Sequence, residues 1–281
     1  MTLTYARRSY EQGGKSVSQV SNEDVLRSVA GQTVPRQFQA TVGARADAVA
    51  LRWTDGTPGQ LTWAEYAERA CRVAAGLQDL GVRPGDRVVL MIRNRPEFHI
   101  ADMATLLVGA TPVSIYNSSA PEQIEYLAGH SEATTAIAGD IGFLERFLKV
   151  RSALPDLRHL VVVDDGEGVA PTDVTTFADL GSAAPLDLGE AAEVSQPDDL
   201  VTLIYTSGTT GPPKGVMITN TNMCWVVESM NRALGMELRG LREVSYLPMA
   251  HIAERLMTHY IPIAHGTDVT TCPDPTQLAP Y

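Results

Sequence analysis

From Leu61 to Val163 the apolar positions alternate between two periods. Trp63, Tyr66, Ala70, Val73, Ala74, Leu77 and Leu80 recur at three- and four-residue steps, one face of a helix. Thr62 stands three residues before Glu65, a capping-box spacing that opens this helix, and Gly81 ends it. Pro84-Gly85-Asp86 then turns the chain into Val88–Ile92, a short unbroken apolar run that predicts a buried strand. The alternation continues with a helix over Pro96–Val108, a strand at Pro112–Ile115 and a helix from Pro121. A strand at Thr134–Ala138, a helix at Ile141–Val150 and a strand at His159–Val163 follow. Pro121 suits a first helical turn, where its missing N–H has no partner to lose. Helices interleaved with short apolar strands predict an α/β fold of mostly parallel sheets flanked by helices.

The flanks read differently. Residues 1–30 are polar and without clear periodicity, which predicts a loose N-terminal arm. The stretch 164–199 is acidic and rich in Gly, Pro and Ala, and is expected to be a long surface connection rather than a core element. It holds ten Asp and Glu and no Lys or Arg, whereas the rest of the chain is nearly balanced, so the net charge of −11 belongs to this one segment. No basic face remains for nucleic acid, which is excluded as a partner. Cys71, Cys224 and Cys272 lie too far apart in sequence for a metal or redox motif and read as buried or half-buried thiols. The N-terminus shows no apolar signal core. The longest apolar run, Ile100–Tyr116, is broken by Asp102 and Pro112 and falls short of the ~20 residues of a membrane span. A cytoplasmic protein that touches membrane surfaces only peripherally, for its substrate, is expected.

The chemistry concentrates after Leu200. Leu200–Tyr205 is a β-rich apolar run, and it leads straight into six small residues, Thr206 to Gly211, followed by Lys214. Gly208 and Gly211 allow the backbone to aim its N–H groups at one point, an anion-binding concavity. The hydroxyls of Thr206, Ser207, Thr209 and Thr210 add short donors, one of which could face a metal-bound phosphate, and Lys214 adds a point charge. Apolar periodicity from about Asn222 predicts a helix soon after. A ligand-free Gly/Thr hairpin turn is the competing reading, and the density of hydroxyls and glycines directly after a buried strand favours the phosphate cradle. Pro213 occupies the place of the second glycine of a P-loop, and no Gly-x-Gly-x-x-Gly fingerprint opens a helix.

Tyr205-Thr-Ser-Gly-Thr-Thr-Gly-Pro-Pro-Lys-Gly-Val216 matches without gaps the phosphate-loop signature of the adenylate-forming superfamily. Ser245-Tyr-Leu-Pro-Met-Ala-His-Ile-Ala-Glu-Arg255 resembles the next motif of that superfamily, in the form typical of long-chain fatty acyl-CoA synthetases. Leu61-Thr-Trp-Ala-Glu and Pro84-Gly-Asp-Arg-Val88 are weaker echoes of the opening of its N-terminal domain. The resemblance runs over roughly residues 35 to 281 and implies that residues 31–281 are an incomplete N-terminal AMP-binding domain. Relatives are about twice this length. The adenine- and ribose-binding motifs, the hinge and the C-terminal domain with its catalytic lysine are expected beyond residue 281.

The resemblance implies ATP-dependent activation of a long-chain fatty acid through an acyl-adenylate, followed by transfer to coenzyme A. Thr206, Ser207, Gly208, Thr209, Thr210, Gly211 and Lys214 would cradle the β- and γ-phosphates, and the Thr206 hydroxyl is the candidate Mg²⁺ contact. His251 falls on the motif position beside the acyl carboxylate, where an imidazole can orient the attacking oxygen; taken alone it is a helix-start histidine satisfied by local backbone. Some relatives carry an aromatic gate four residues after this histidine; Arg255 stands there, so no gate is carried over. Glu254 is expected to form a structural ion pair. His99, His130, His159, His259 and His265 are assigned to surfaces or helix ends, and Trp225 to the core. A ligase that loads a carrier protein and a non-catalytic nucleotide-binding module are the alternatives, the Tyr246…His251…Arg255 form favouring coenzyme A. Acyl-chain length and oligomeric state are left open by the pattern. A chain of these residues alone is expected to complete neither half-reaction.

Overall fold

A computed structural model of the chain describes residues 21–166, 168–206 and 211–278. In chain order the elements are α1 (Asn22–Ser28), α2 (Val34–Arg45), β1 (Val49–Trp53), β2 (Gly59–Thr62), α3 (Trp63–Asp79), β3 (Arg87–Met91), α4 (Pro96–Leu107) and β4 (Thr111–Ser114). Then come α5 (Pro121–His130), β5 (Thr135–Asp140), α6 (Ile141–Val150), β6 (His159–Asp164), β7 (Thr175–Thr176), α7 (Phe177–Leu180) and α8 (Leu188–Ala192). The last group is β8 (Leu200–Thr206), β9 (Lys214–Thr219), α9 (Asn220–Leu234), β10 (Arg242–Ser245), α10 (Ile252–Arg255), a π-helical turn (Leu256–Tyr260), α11 (Ile261–His265) and β11 (Asp268–Thr271).

The central sheet is parallel throughout, in the order β4-β3-β5-β6-β7. Its strands are apolar on both faces because each face has its own core. Val88 and Leu90 of β3 join the core built with α3 and α4, whereas Val89 and Met91 join the one under α5 and α6. Successive strand side chains point to opposite faces, so one continuous apolar run serves two cores. Burying each such side chain contributes about 1.5–3 kcal/mol relative to leaving it in water. The capping box expected at Thr62 and Glu65 is formed, and Asp140 caps α6 through the Phe143 N–H at 2.9 Å. A second sheet, β10-β11-β1-β2, is parallel except for the antiparallel edge pair β1–β2. The third is the antiparallel hairpin β8–β9. No helix of the described residues is long and apolar enough to cross a membrane.

Several expectations need correction. Of the loose arm expected over residues 1–30, residues 1–20 lie outside the described residues, and residues 22–28 are helical, with Val25 and Val29 buried and the Trp225 indole donating to Asn22 Oδ1 at 2.8 Å. Trp225 is therefore a half-buried partner of α1 rather than a core residue. The acidic stretch 164–199 is not merely a surface connection. It contributes β7 to the central sheet, and Phe177, Leu180 and Ala191 enter the larger core. Its described acidic residues are exposed or half-exposed while Val174, Phe177, Leu180, Ala191 and Ala192 turn inward, a pattern too short for periodicity to reveal.

The close approach of α7 to α3 is measurable at Gly76, where an added Cβ would lie 2.6 Å from the Leu180 carbonyl oxygen and 2.7 Å from its Cα. Backbone cannot swing aside as a side-chain tip can, so Gly76→Ala is expected to destabilise the chain by about 1–3 kcal/mol in denaturant unfolding; a stability equal to that of the native chain would contradict this packing. A second prediction comes from β10. Burial lifts the Glu243 carboxyl from 4.5 to about 7, the Thr267 hydroxyl pulling the other way and Glu254 adding to the rise. A carboxyl raised in the folded state favours the fold most below its unfolded value, and that contribution is lost as pH climbs through the folded one. Unfolding free energy should therefore decline between about pH 5 and about pH 8, and Glu243→Gln should flatten the decline. Identical pH profiles for the two proteins would refute the assignment.

Candidate active site

β8 is held beside the central sheet by hydroxyls rather than by a ladder. The Thr202 Oγ1 donates to the Pro112 carbonyl of β4 at 2.8 Å, and Thr111 Oγ1 reaches the Leu200 carbonyl at 3.4 Å. Val201–Ile204 are buried, and the strand surfaces at Thr206. The return strand β9 places Lys214 directly opposite Thr206 in the register. Both side chains are exposed, so one hydroxyl and one ammonium flank the ends of the loop between them. Gly211 sits at φ +83°, a left-handed conformation that a side chain would strain. The phosphate-cradle assignments of Ser207, Gly208, Thr209 and Thr210 lie outside the described residues.

Helix α5 pins both strands of this hairpin. Tyr126 Oη donates to the Pro213 carbonyl at 2.8 Å, and His130 Nδ1 meets Tyr205 Oη at 2.9 Å. Tyr126 and His130 are four residues apart and so share one helix face. Gly215 leaves room for the Tyr205 ring, 3.3 Å from where its Cβ would be. Beyond their i, i+4 spacing, nothing in the pattern of residues joined Tyr126 and His130 to the phosphate loop.

The second half of the site is the turn before α10. His251 is its N-cap, with Nδ1 accepting from the Ala253 N–H at 3.1 Å. The local-backbone contact foreseen for a helix-start histidine is thus present, and it fixes the chemistry. With Nδ1 accepting, neutral His251 carries its proton on Nε2, which makes it a donor suited to orienting a carboxylate rather than a base. Glu254 forms no ion pair among the described residues, contrary to expectation. Its Oε1 instead accepts from Ser245 Oγ at 2.9 Å, the Tyr246 N–H at 3.0 Å and Thr258 Oγ1 at 3.0 Å, folding the motif back on itself. Burial raises the Glu254 carboxyl above its ordinary range while these donors hold it down. The base that Glu254 lacks, Arg255, is fully buried and pairs with Asp102. His99 and His259, assigned to surfaces or helix ends, are buried as well, with their Nδ1 atoms 2.9 Å apart.

Thr206 and His251 line the same cavity of about 580 Å³, with Tyr116, Tyr126, Leu127 and Ile204 among its walls. Its largely apolar walls and few convergent polar groups are those of a small-molecule site. For magnesium, Thr206 offers a hard, exposed hydroxyl oxygen, and this ion commonly takes one or two protein oxygens and completes its shell with phosphates and water. Among the described residues no cluster of three or more His, Cys, Asp or Glu could hold a metal ion by itself.

The β8–β9 hairpin and the turn capped by His251 thus border one cavity, beside a parallel sheet flanked by helices. The chain belongs to the AMP-binding enzyme family, whose profile matches residues 38–280. It is 32% identical over 243 residues to a long-chain-fatty-acid–CoA ligase of Xenopus laevis, covering 83% of this chain and 33% of that protein. Against fatty acyl-CoA synthetase A of Dictyostelium discoideum the identity is 34% over 215 residues, 72% of this chain and 31% of the relative. The chain thus spans about one third of the length of the curated relatives it matches. Among solved structures, the anthranilate CoA ligase AuaEII in complex with anthranoyl-AMP superposes with a TM-score of 0.79 at 23% identity, over 89% of this chain and 46% of that one.

If Lys214 supplies the charge at the hairpin mouth, Lys214→Ala should weaken tripolyphosphate binding about tenfold, or ~1.4 kcal/mol, by titration calorimetry, and Lys214→Arg should keep part of it. Equal affinity in all three proteins would remove Lys214 from the anion site.

Proposed function

We propose that this chain carries the phosphate- and carboxylate-facing part of an enzyme that activates a long-chain fatty acid with ATP and passes it to coenzyme A. The observation that supports this best is the meeting of Thr206 and His251 on one cavity, with Lys214 paired opposite Thr206. A fatty carboxylate oxygen attacks the α-phosphorus of ATP, the bond to the bridging oxygen breaks, and pyrophosphate leaves. The thiol of coenzyme A then attacks the acyl carbon and AMP departs.

The difficulty of the first step is that two anions must approach. Lys214 and the hairpin donors would draw off triphosphate charge, and the His251 Nε2–H would hold the carboxylate with one oxygen toward phosphorus. Magnesium, when bound, would supply further charge neutralisation at the phosphates, with Thr206 as its protein oxygen. The names of the relatives, long-chain and fatty acyl-CoA ligases, favour coenzyme A over a carrier protein as acceptor and favour an acyl chain over a smaller acid.

Hydroxamate trapping and pyrophosphate release with palmitate, ATP and Mg²⁺ test this reading. The 281-residue chain alone is expected to show neither signal. A protein in which it is followed by the remaining length of its relatives should show both, with coenzyme A as the productive acceptor. His251→Ala in that protein should lower the adenylation rate by about 10²–10⁴-fold, the range of a lost positioned proton donor. Robust fatty-acid-dependent pyrophosphate release by the 281-residue chain, or full activity of His251→Ala, would overturn these assignments.

A further inference from the structure

Directly behind the His251 turn lies a buried polar cluster that the two half-reactions do not use. Arg255 and Asp102 are both 0% exposed, and the Arg255 guanidinium lies 5.8 Å from the Phe98 ring centre and 5.5 Å from that of Tyr260. One arm of the Arg255 fork pairs with Asp102 on α4. The other donates to Thr202 Oγ1 on β8 at 2.6 Å and to Ser114 Oγ on β4 at 3.2 Å. Asp102 is braced from its far side by His259 Nε2 at 3.0 Å, and His259 Nδ1 lies 2.9 Å from His99 Nδ1. With both rings neutral, one arrangement satisfies these contacts: His99 Nδ1–H donates to His259 Nδ1, and His259 Nε2–H donates to Asp102. Burial holds His99 well below the usual histidine range, in keeping with a neutral ring there.

Stability alone is a poor reason for such a cluster, because well-packed apolar residues of similar volume often replace a buried ion pair at no loss. What the cluster does is join elements. α10 runs without a break through the π-helical turn into α11, so Arg255 lies in the first turn of one helical stretch, Ile252–His265, and its fork ties the His251 end of that stretch to the strands. The strand gripped at Thr202 ends four residues later in Thr206.

We propose that Arg255 is a positioning residue: its fork, braced by Asp102, His259 and His99, fixes the His251 turn relative to the phosphate strand β8. The geometric part stands by itself, and its catalytic consequence rests on the ligase reading above. A lysine cannot replace the fork, since one ammonium is a point charge and does not present the same rigid spread of donors to Asp102 on one side and Thr202 on the other.

The test is a pulsed-EPR distance between spin labels at Leu247→Cys, beside the His251 turn, and Val216→Cys, on β9. Both positions are exposed, while Cys71, Cys224 and Cys272 are buried, with burial raising the Cys71 thiol to about 11 and the Cys224 thiol to about 12, so the labels select the introduced cysteines. The parent pair should give one narrow distance. Arg255→Lys should shift and broaden it, and Thr202→Val, which keeps the ion pair and nearly the same shape, should do so to a lesser degree. A purely structural brace would lower the melting temperature and leave the distance of the folded molecules unchanged. That outcome in Thr202→Val, or in Arg255→Lys if it folds, overturns the proposal. In the lengthened protein, Arg255→Lys should lower kcat at least about tenfold while the KM for ATP stays constant, the pattern of lost alignment rather than lost binding. An unchanged kcat beside a shifted distance overturns it as well. A parent protein that forms no acyl-adenylate sinks the ligase reading and the catalytic consequence with it, while the distances still decide the geometry.

Discussion

A carboxylate and a polyphosphate repel each other, and whatever brings them together must be held by something stiffer than either. On the proposed reading that burden falls, in this chain, on the hairpin β8–β9 and the short turn capped by His251, neither of which has much structure of its own. The hairpin is two strands wide, and a two-stranded sheet is marginal unless something packs on it. The turn is a few residues of irregular chain at the N-terminal end of the helical stretch Ile252–His265. Both are therefore fixed from outside: the hairpin by Tyr126 and His130 of α5, the turn by Glu254 and Arg255 reaching into the body of the fold. The central parallel sheet supplies the rigidity, and side-chain hydrogen bonds carry it to the chemistry.

This division explains what could be read from the sequence. The β-α alternation from Val88 to Val163 was legible almost residue by residue, because a buried parallel strand is a continuous apolar run and its covering helices have the 3.6 period. The helix at Ile141–Val150 coincides with its predicted bounds. Within the acidic stretch the elements were not legible, since β7, α7 and α8 run to two, four and five residues and lack a continuous apolar run or enough positions for a period to stand out. Composition then misled: ten acidic residues and no basic one across 164–199 suggested a segment wholly in water, although charge on one side of a short helix says nothing about the other side.

The polar interior was missed for a related reason. Asp102 was read as an interruption of an apolar run, and Arg255 as a departure from an expected aromatic. Only the fold brings them together across a sequence separation of 153. A charge inside an apolar stretch is a strong hint that a partner exists, because an unpaired buried charge is too costly to keep. It does not say where the partner is. Glu254 shows the opposite case. An acid next to an arginine looked like half of an ion pair, yet adjacent helical residues point in different directions, and its neighbours through space are hydroxyls and an amide.

The identity of the site, in contrast, came from sequence and was only partly reached by geometry. The described residues bring Thr206, Lys214 and His251 to one hairpin and one cavity, and the amides that would complete an anion cradle belong to residues outside them. What the structure adds is direction. It ties up the His251 Nδ1 with the Ala253 N–H, and it places the buried fork of Arg255 against β8, behind the His251 turn. A donor set on a turn is only as useful as that turn is still, since misplacement by about 1 Å can cost on the order of a hundredfold in rate. The polar cluster behind His251 is the part of the fold whose geometry bears most directly on that tolerance.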